Sequence, residues 1–335
     1  NVQQLGNWNP GIISLNKLDD STWSKVFVFP INSVLGFKFT KGTWEKEALD
    51  QNGKIPGNTV IFATKDTILR YRVTKWSESS PDITGKITGQ VKYHRSFNGK
   101  NILPRDIIVW LPPSYDSISN KSFPVLYMND GQNIIDPYTS AIGVEWKLDE
   151  TADSLIKTNV IQEIIIVGIY NSNMRKTEYK SSPDGNNYMK FVVNELKPFI
   201  DYTYLTLPDR DNTGVAGSSS GGLISFMMLW EYSDIFSKAA CLSPAFKIDD
   251  IDFVSTVIKY MGVKKDIKIY IDNGGIGIEK DLQPGIDEML TALRDKGYEE
   301  NKDLVWVKDS LAEHNESAWA KRVHKFLKFL FPYKN

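Results

Sequence analysis

The residues Gly217-Ser218-Ser219-Ser220-Gly221 follow a short apolar run, Val215-Ala216, and lead into a long one, Leu223-Ile224-Ser225-Phe226-Met227-Met228-Leu229-Trp230. Only Ser219 has glycine both two places before and two places after it. Ser218 lacks the second glycine and Ser220 the first. Glycines at those spacings let a strand turn abruptly into a helix, because a β-carbon at either place would clash, and the serine oxygen is left exposed at the tip. The pattern predicts a nucleophile. A serine hydroxyl needs a base, in practice a histidine held by a carboxylate, and the chain has 3 histidines. His94 falls in an early strand and His324 inside the last helical run. His314, in the loop Ser310-Leu311-Ala312-Glu313-His314-Asn315-Glu316, is therefore the expected base.

Three carboxylates compete to hold that histidine, all beyond the apolar run at 267–271: Asp272, Glu279 and Asp281. Glu279 is preferred, because the glycine-rich loop Gly274-Gly275-Ile276-Gly277-Ile278 can return its long arm to the base. Asp272, which closes the strand and can hydrogen-bond the loop, ranks second. The charge that develops on the substrate oxygen needs backbone donors. The Ser220 amide, next after the nucleophile at a helix start, is the first. The second is expected from Gln132 or Gly131, in Asn129-Asp130-Gly131-Gln132-Asn133. No set of His, Cys and carboxylates at metal-ligand spacing stands out, so catalysis should need no metal or other cofactor.

Apolar strands and helical stretches must position these groups. Strands are expected at 91–97, 106–110, 125–128, 164–170, 214–216, 239–242, 267–271 and 304–307, with helices at 188–202, 221–232, 284–296 and 317–330. Eight strands, the later ones separated by helices and with the serine after the fifth, suit an α/β-hydrolase fold, a mostly parallel sheet over residues 85–335. The order serine, acid, histidine fits that fold. Residues 1–84 lack amphipathic helices and read as a small all-β sandwich, with strands such as 23–29 and 59–63 and a linker at 77–84.

Two resemblances sharpen this reading. Leu5-Gly6-Asn7-Trp8-Asn9-Pro10, Trp23, Phe37-Lys38-Phe39, Trp44-Glu45 and Pro56-Gly57-Asn58-Thr59 resemble a family 20 starch-binding module. The likeness implies a glycan site at Trp8, Lys38 and Trp44, where flat aromatic faces would stack on a sugar and the lysine would donate to its hydroxyls. Pro112-Pro113-Ser114-Tyr115, the stretch from Val125 through Gln132, Arg175 with Glu178-Tyr179, the serine motif, and His314-Asn315-Glu316 through Trp319 resemble the esterase D superfamily. That group holds feruloyl and acetyl-xylan esterases of carbohydrate esterase family one and the enterochelin esterases. The resemblance implies a serine carboxylic-ester hydrolase acting on acyl esters of glycans or phenolic acids. The competing expectations are a siderophore esterase of the enterochelin type, an acyltransferase on the same fold, and a glycan-binding protein whose hydrolase domain is inactive.

Composition narrows the partners. Among 335 residues acidic and basic groups nearly cancel, leaving a formal charge of −1, so nothing draws the chain to nucleic acid or an anionic membrane. The single cysteine, Cys241, lies in the apolar run Ala239-Ala240-Cys241-Leu242 and reads as a small core residue. No apolar run reaches the roughly 18 residues of a membrane helix, and no charged-then-apolar leader opens the chain. The expectation is a mature exported enzyme, periplasmic or extracellular, whose partner is a small-molecule or glycan ester.

Overall fold

A computed structural model describes residues 3–5, 12–42, 46–51, 53, 59–76, 87–117, 121–140 and 143–333. The chain divides into two compact units, Asn1–Lys86 with Pro137–Gly143, and Ile87–Asp136 with Val144–Asn335.

In the first unit the described strands form short antiparallel pairs: Asn16–Lys17 with Trp23–Ser24, Ser33–Phe37 with Thr59–Ala63, and Ala48–Leu49 with Lys75–Trp76. The strand expected at 23–29 stops at Ser24. Val26 and Val28 beyond it are 89% and 83% exposed, while Phe27 and Phe29 between and after them are half-buried with their rings stacked at 5.9 Å. Of the three residues assigned to a glycan site, Trp8 and Trp44 lie outside the described residues, as does the expected linker. Lys38 is half-buried, with its ammonium 2.7 Å from the buried Glu47 carboxylate. Burial raises the Glu47 pKa, and the Lys38 charge opposes that rise.

The second unit is built on one eight-stranded sheet. Its strands are β1 (Gln90–Phe97), β2 (Arg105–Leu111), β3 (Val125–Asn129), β4 (Ile165–Ile169), β5 (Thr213–Ser218), β6 (Lys238–Leu242), β7 (Lys268–Asn273) and β8 (Leu304–Lys308). Their spatial order is β8-β7-β6-β5-β3-β4-β2-β1, with β2 antiparallel to both neighbours and all other pairs parallel. This is the expected α/β-hydrolase sheet. Runs such as Ile107-Ile108-Val109-Trp110 and Ile165-Ile166-Val167 are apolar at every position because both faces of this mostly parallel sheet are covered.

Alternation along each strand divides the core in two. Ile107, Val109, Val125, Tyr127 and Val215 pack on one face with α3 (Pro183–Phe191), α5 (Ser220–Glu231), α6 (Val254–Lys259) and α7 (Glu279–Asp295). Ile108, Trp110, Leu126, Met128 and Ala216 pack on the other with α1 (Leu148–Lys157), α8 (Glu316–Ala320) and α9 (Val323–Leu330). Cys241 is fully buried on β6, as its apolar surroundings require. No helix among the described residues is long and apolar enough to cross a membrane.

Three helices depart from expectation in instructive ways. The stretch at 188–202 is α3, a π-helical turn at Val192–Leu196, and α4 (Lys197–Thr203). Pro198 has no amide to donate one turn back, and the wider turn absorbs the interruption. The run at 317–330 is likewise split, into α8 and α9. Helix α7 begins at Glu279, not at 284, so Glu279 stands on a helix and not in the glycine loop, with Pro284 inside the helix.

Candidate active site

Strand β5 ends at Ser218 and α5 begins at Ser220. Ser219 joins them with φ 57° and ψ −125°, a conformation that costs a non-glycine residue about 1 to 3 kcal/mol. Tight packing enforces it. A β-carbon on Gly217 would stand 2.6 Å from the Gly221 carbonyl oxygen, and one on Gly221 would stand 3.0 Å from an Asp130 carboxylate oxygen. Backbone bonds fix the turn further: the Ser219 amide donates to the Leu242 carbonyl (2.9 Å) and its carbonyl accepts from the Ala245 amide (3.2 Å). The Ser219 hydroxyl does not cap α5 and its side chain is only half-buried, so it is reachable.

Because β5 to β8 are parallel neighbours, the loops leaving them open on one edge of the sheet. His314 is in the loop after β8, and its Nδ1 is 3.0 Å from Glu279 Oε1. The other Glu279 oxygen accepts from the Gly274 amide at 3.0 Å. Burial works against ionisation of this fully buried carboxyl, but the hydrogen bonds from His314, Ser243 and Gly274 outweigh it and hold its pKa below the usual carboxylate range. Ser243, one residue past the β6 position that bonds Ser219, also accepts from the Trp319 indole at 3.0 Å. The Trp319 ring in turn packs edge-on against His314, centroids 5.0 Å apart.

Asp272 is brought elsewhere. Its carboxylate lies 3.0 Å from the Arg322 guanidinium and accepts from the Tyr270 hydroxyl at 3.1 Å, all within the interior. Burial raises its pKa and the Arg322 charge opposes the rise. Asp281 is exposed on the first turn of α7. Of the other histidines, His94 bonds the Tyr204 hydroxyl (2.7 Å) and His324 lies on α9, so both have local structural settings.

Of the expected oxyanion donors, one stands on the turn at Ser219 and two on the loop after β3. Ser220 is the first residue of α5, where an amide has no carbonyl one turn back to receive it. Gly131 and Gln132 form a single 3-10 turn, entered through Asp130 at φ 58°. Gly131 must be glycine, since a β-carbon would meet backbone of Gly168 at 2.3 Å and of Ile169 at 2.5 Å. The Gln132 side chain is turned back to accept from the Asn171 amide at 3.1 Å.

What holds this loop went unread in the sequence. Arg175 grips Asp130 with two bonds of 2.7 Å, and Asn171 adds a third of 2.6 Å. Burial works against the Arg175 charge, but Asp130 pushes its pKa above the ordinary value. Arg175 was visible only as a family motif; its partner lies 45 residues away and nothing local announces the pair.

The family described as "Putative esterase" matches residues 103–328. Among curated proteins, an uncharacterised Bacillus subtilis protein, YbbA, is 21% identical over 248 residues, covering 68% of this chain and 91% of its own. An endo-1,4-beta-xylanase/feruloyl esterase of Xylanibacter ruminicola is 25% identical over 264 residues, 78% of this chain but 31% of that protein. Among solved structures, a ferulic acid esterase superposes with a TM-score of 0.62 at 20% identity, covering 73% of this chain and 98% of its own. The enterobactin esterase FES of Shigella flexneri, solved with 2,3-dihydroxy-N-benzoyl-glycine, gives 0.58 at 14% identity, covering 73% and 59%.

Proposed function

The chain belongs to this esterase family, and from that membership we propose that it cleaves carboxylic esters through Ser219, His314 and Glu279, with aromatic acyl groups of the feruloyl type, carried on glycans, as the substrate class. The observation that carries the reading is the 3.0 Å bond from His314 to the buried Glu279, on the same sheet edge as a serine held in a strained turn. Ser219 Oγ attacks the ester carbonyl while His314 Nε2 takes its proton, and Glu279 balances the resulting imidazolium. The carbonyl oxygen, now negative, accepts from the Ser220 amide and from the amide of Gly131 or Gln132. Collapse breaks the bond to the alcohol, which leaves with the proton from His314. Water then repeats the sequence on the acyl-serine and releases the acid.

The feruloyl assignment is supported by the ferulic acid esterase and the xylanase/feruloyl esterase among the similar proteins. A panel of p-nitrophenyl acetate, methyl ferulate, acetylated xylan and enterochelin tests it, each run with and without an acceptor alcohol. Methyl ferulate is expected to give the highest kcat/KM, with free ferulic acid as product. Preference for enterochelin would move the substrate to siderophores, and acyl transfer without free acid would make the chain a transferase.

The oxyanion loop gives a second prediction. In Gly131→Ala the new methyl group meets the backbone of Gly168 and Ile169, so the loop must move off β4 and its amides leave their present positions. Loss of one donor costs on the order of 10² to 10³ in kcat with KM little changed. Steady-state kinetics on methyl ferulate measures this, and a wild-type kcat would remove the loop from the mechanism.

A further inference from the structure

Supports of the nucleophile, the acid and the base all meet at Ser243. It stands directly after β6, 0% exposed, at φ 44°, in the left-handed region that residues other than glycine rarely adopt except where function holds them there. Residues on either side of it hold the nucleophile, since the Leu242 carbonyl and the Ala245 amide bond the backbone of Ser219. Its own amide donates to the Asp272 carbonyl at 2.6 Å, near the end of β7, from which the loop to Glu279 departs. Its hydroxyl accepts from the Trp319 indole nitrogen at 3.0 Å and so ties down α8, whose cap residue Asn315 follows His314. The direction of that last bond decides the rest. Trp319 Nε1 can only donate, and so can the Arg322 guanidinium, whose Nη2 is 3.5 Å from the same oxygen. The hydroxyl accepts both, and its own proton is left for Glu279, with which it hydrogen-bonds.

We propose that Ser243 is a positioning residue for ester cleavage: Trp319 aims its hydroxyl proton at Glu279, and that proton holds the carboxylate against His314. The proposal rests on the reading of Ser219, His314 and Glu279 as the reacting set, and adds to it a side chain that never touches substrate. Glu279 accepts from His314 Nδ1 on one oxygen and from the Gly274 amide on the other, each at 3.0 Å, so the Ser243 hydroxyl is a third donor to a fully buried charge. Without it the charge loses part of what compensates its burial, and the carboxylate can turn away from His314. The other charges that act on Glu279, Arg322 and Asp272, are paired with each other at 3.0 Å, so neither is free to take the place of the hydroxyl.

Steady-state kinetics of Ser243→Ala, Glu279→Gln and the double variant, on whichever ester of the panel the wild type cleaves fastest, tests this. Ser243→Ala is expected to lower kcat by about 10- to 100-fold with KM within about twofold of the wild type. In the Glu279→Gln background the same change should cost less than about twofold, because no carboxylate is left to hold. The same loss in both backgrounds would mark a general structural fault and overturn the proposal, and so would a wild-type kcat in Ser243→Ala. A wild-type kcat in Glu279→Gln would overturn the reading of the reacting set itself, and this proposal with it. If Ser243→Ala fails to fold because the buried indole N–H is stranded, Ser243→Ala with Trp319→Phe removes that donor and keeps an aromatic ring beside His314. Its kcat is then read against the wild type in the same way, and an undiminished value overturns the proposal.

Discussion

Ser219→Ala and His314→Ala should each lower kcat on methyl ferulate by about 10⁴- to 10⁶-fold, and the double variant should be no worse than either single one. The two side chains act as one unit: without the hydroxyl there is nothing to acylate, and without the imidazole the hydroxyl keeps its proton. What remains is binding plus the backbone donors. Neither change should unfold the chain. Ser219 does not cap α5, and alanine meets the same strain at φ 57° that serine already bears. His314 is only half-buried and stands in a loop. Melting curves that match the wild type, together with burst kinetics that lose the acyl-enzyme phase, would separate lost chemistry from lost fold. If either variant kept more than about a tenth of wild-type kcat, the mechanism would have to be rebuilt around another nucleophile or base.

The sheet was legible because its information is local. Each strand from β2 to β7 is a compact apolar run, and a parallel sheet covered on both faces demands nothing subtler. The turn at Ser219 was legible for the same reason, since two glycines four residues apart state a steric requirement that their neighbours, Asn129, Asp130 and Gly221, then explain. What could not be read is held together over distance. Arg322 reaches Asp272 across 50 residues, and Arg175 reaches Asp130 across 45. A local signal misleads at the start of α7: Pro284 reads as a helix opener, yet it sits inside a helix that begins a turn and more earlier, at Glu279. The first unit was hardest. Its described strands are two to five residues long, and the stretch past Ser24, where exposed Val26 and Val28 alternate with half-buried Phe27 and Phe29, makes no strand at all.

The two carboxylates after β7 should fail in different ways when neutralised. In Glu279→Gln the amide can still accept from the Gly274 amide and stay close to His314, so the fold should hold. The imidazolium that forms as Ser219 loses its proton then has no counter-charge, and the tautomer of His314 is no longer dictated. Loss of this kind costs about 10³ to 10⁴ in kcat. In Asp272→Asn the casualty is Arg322, 1% exposed, whose charge would be stranded in the interior. Stranding one member of a buried pair costs about 3 to 5 kcal/mol of stability, while kcat of the protein that remains folded should change by less than about tenfold. Because the penalty comes from the unpaired charge, removing it as well, in Asp272→Asn with Arg322→Met, should recover part of the lost stability. Urea melts and kcat measured on the same preparations test the pair of claims. If Asp272→Asn instead removed turnover and Glu279→Gln spared it, the acid that orients His314 would be Asp272, and the 3.0 Å bond to Glu279 would be a structural contact only.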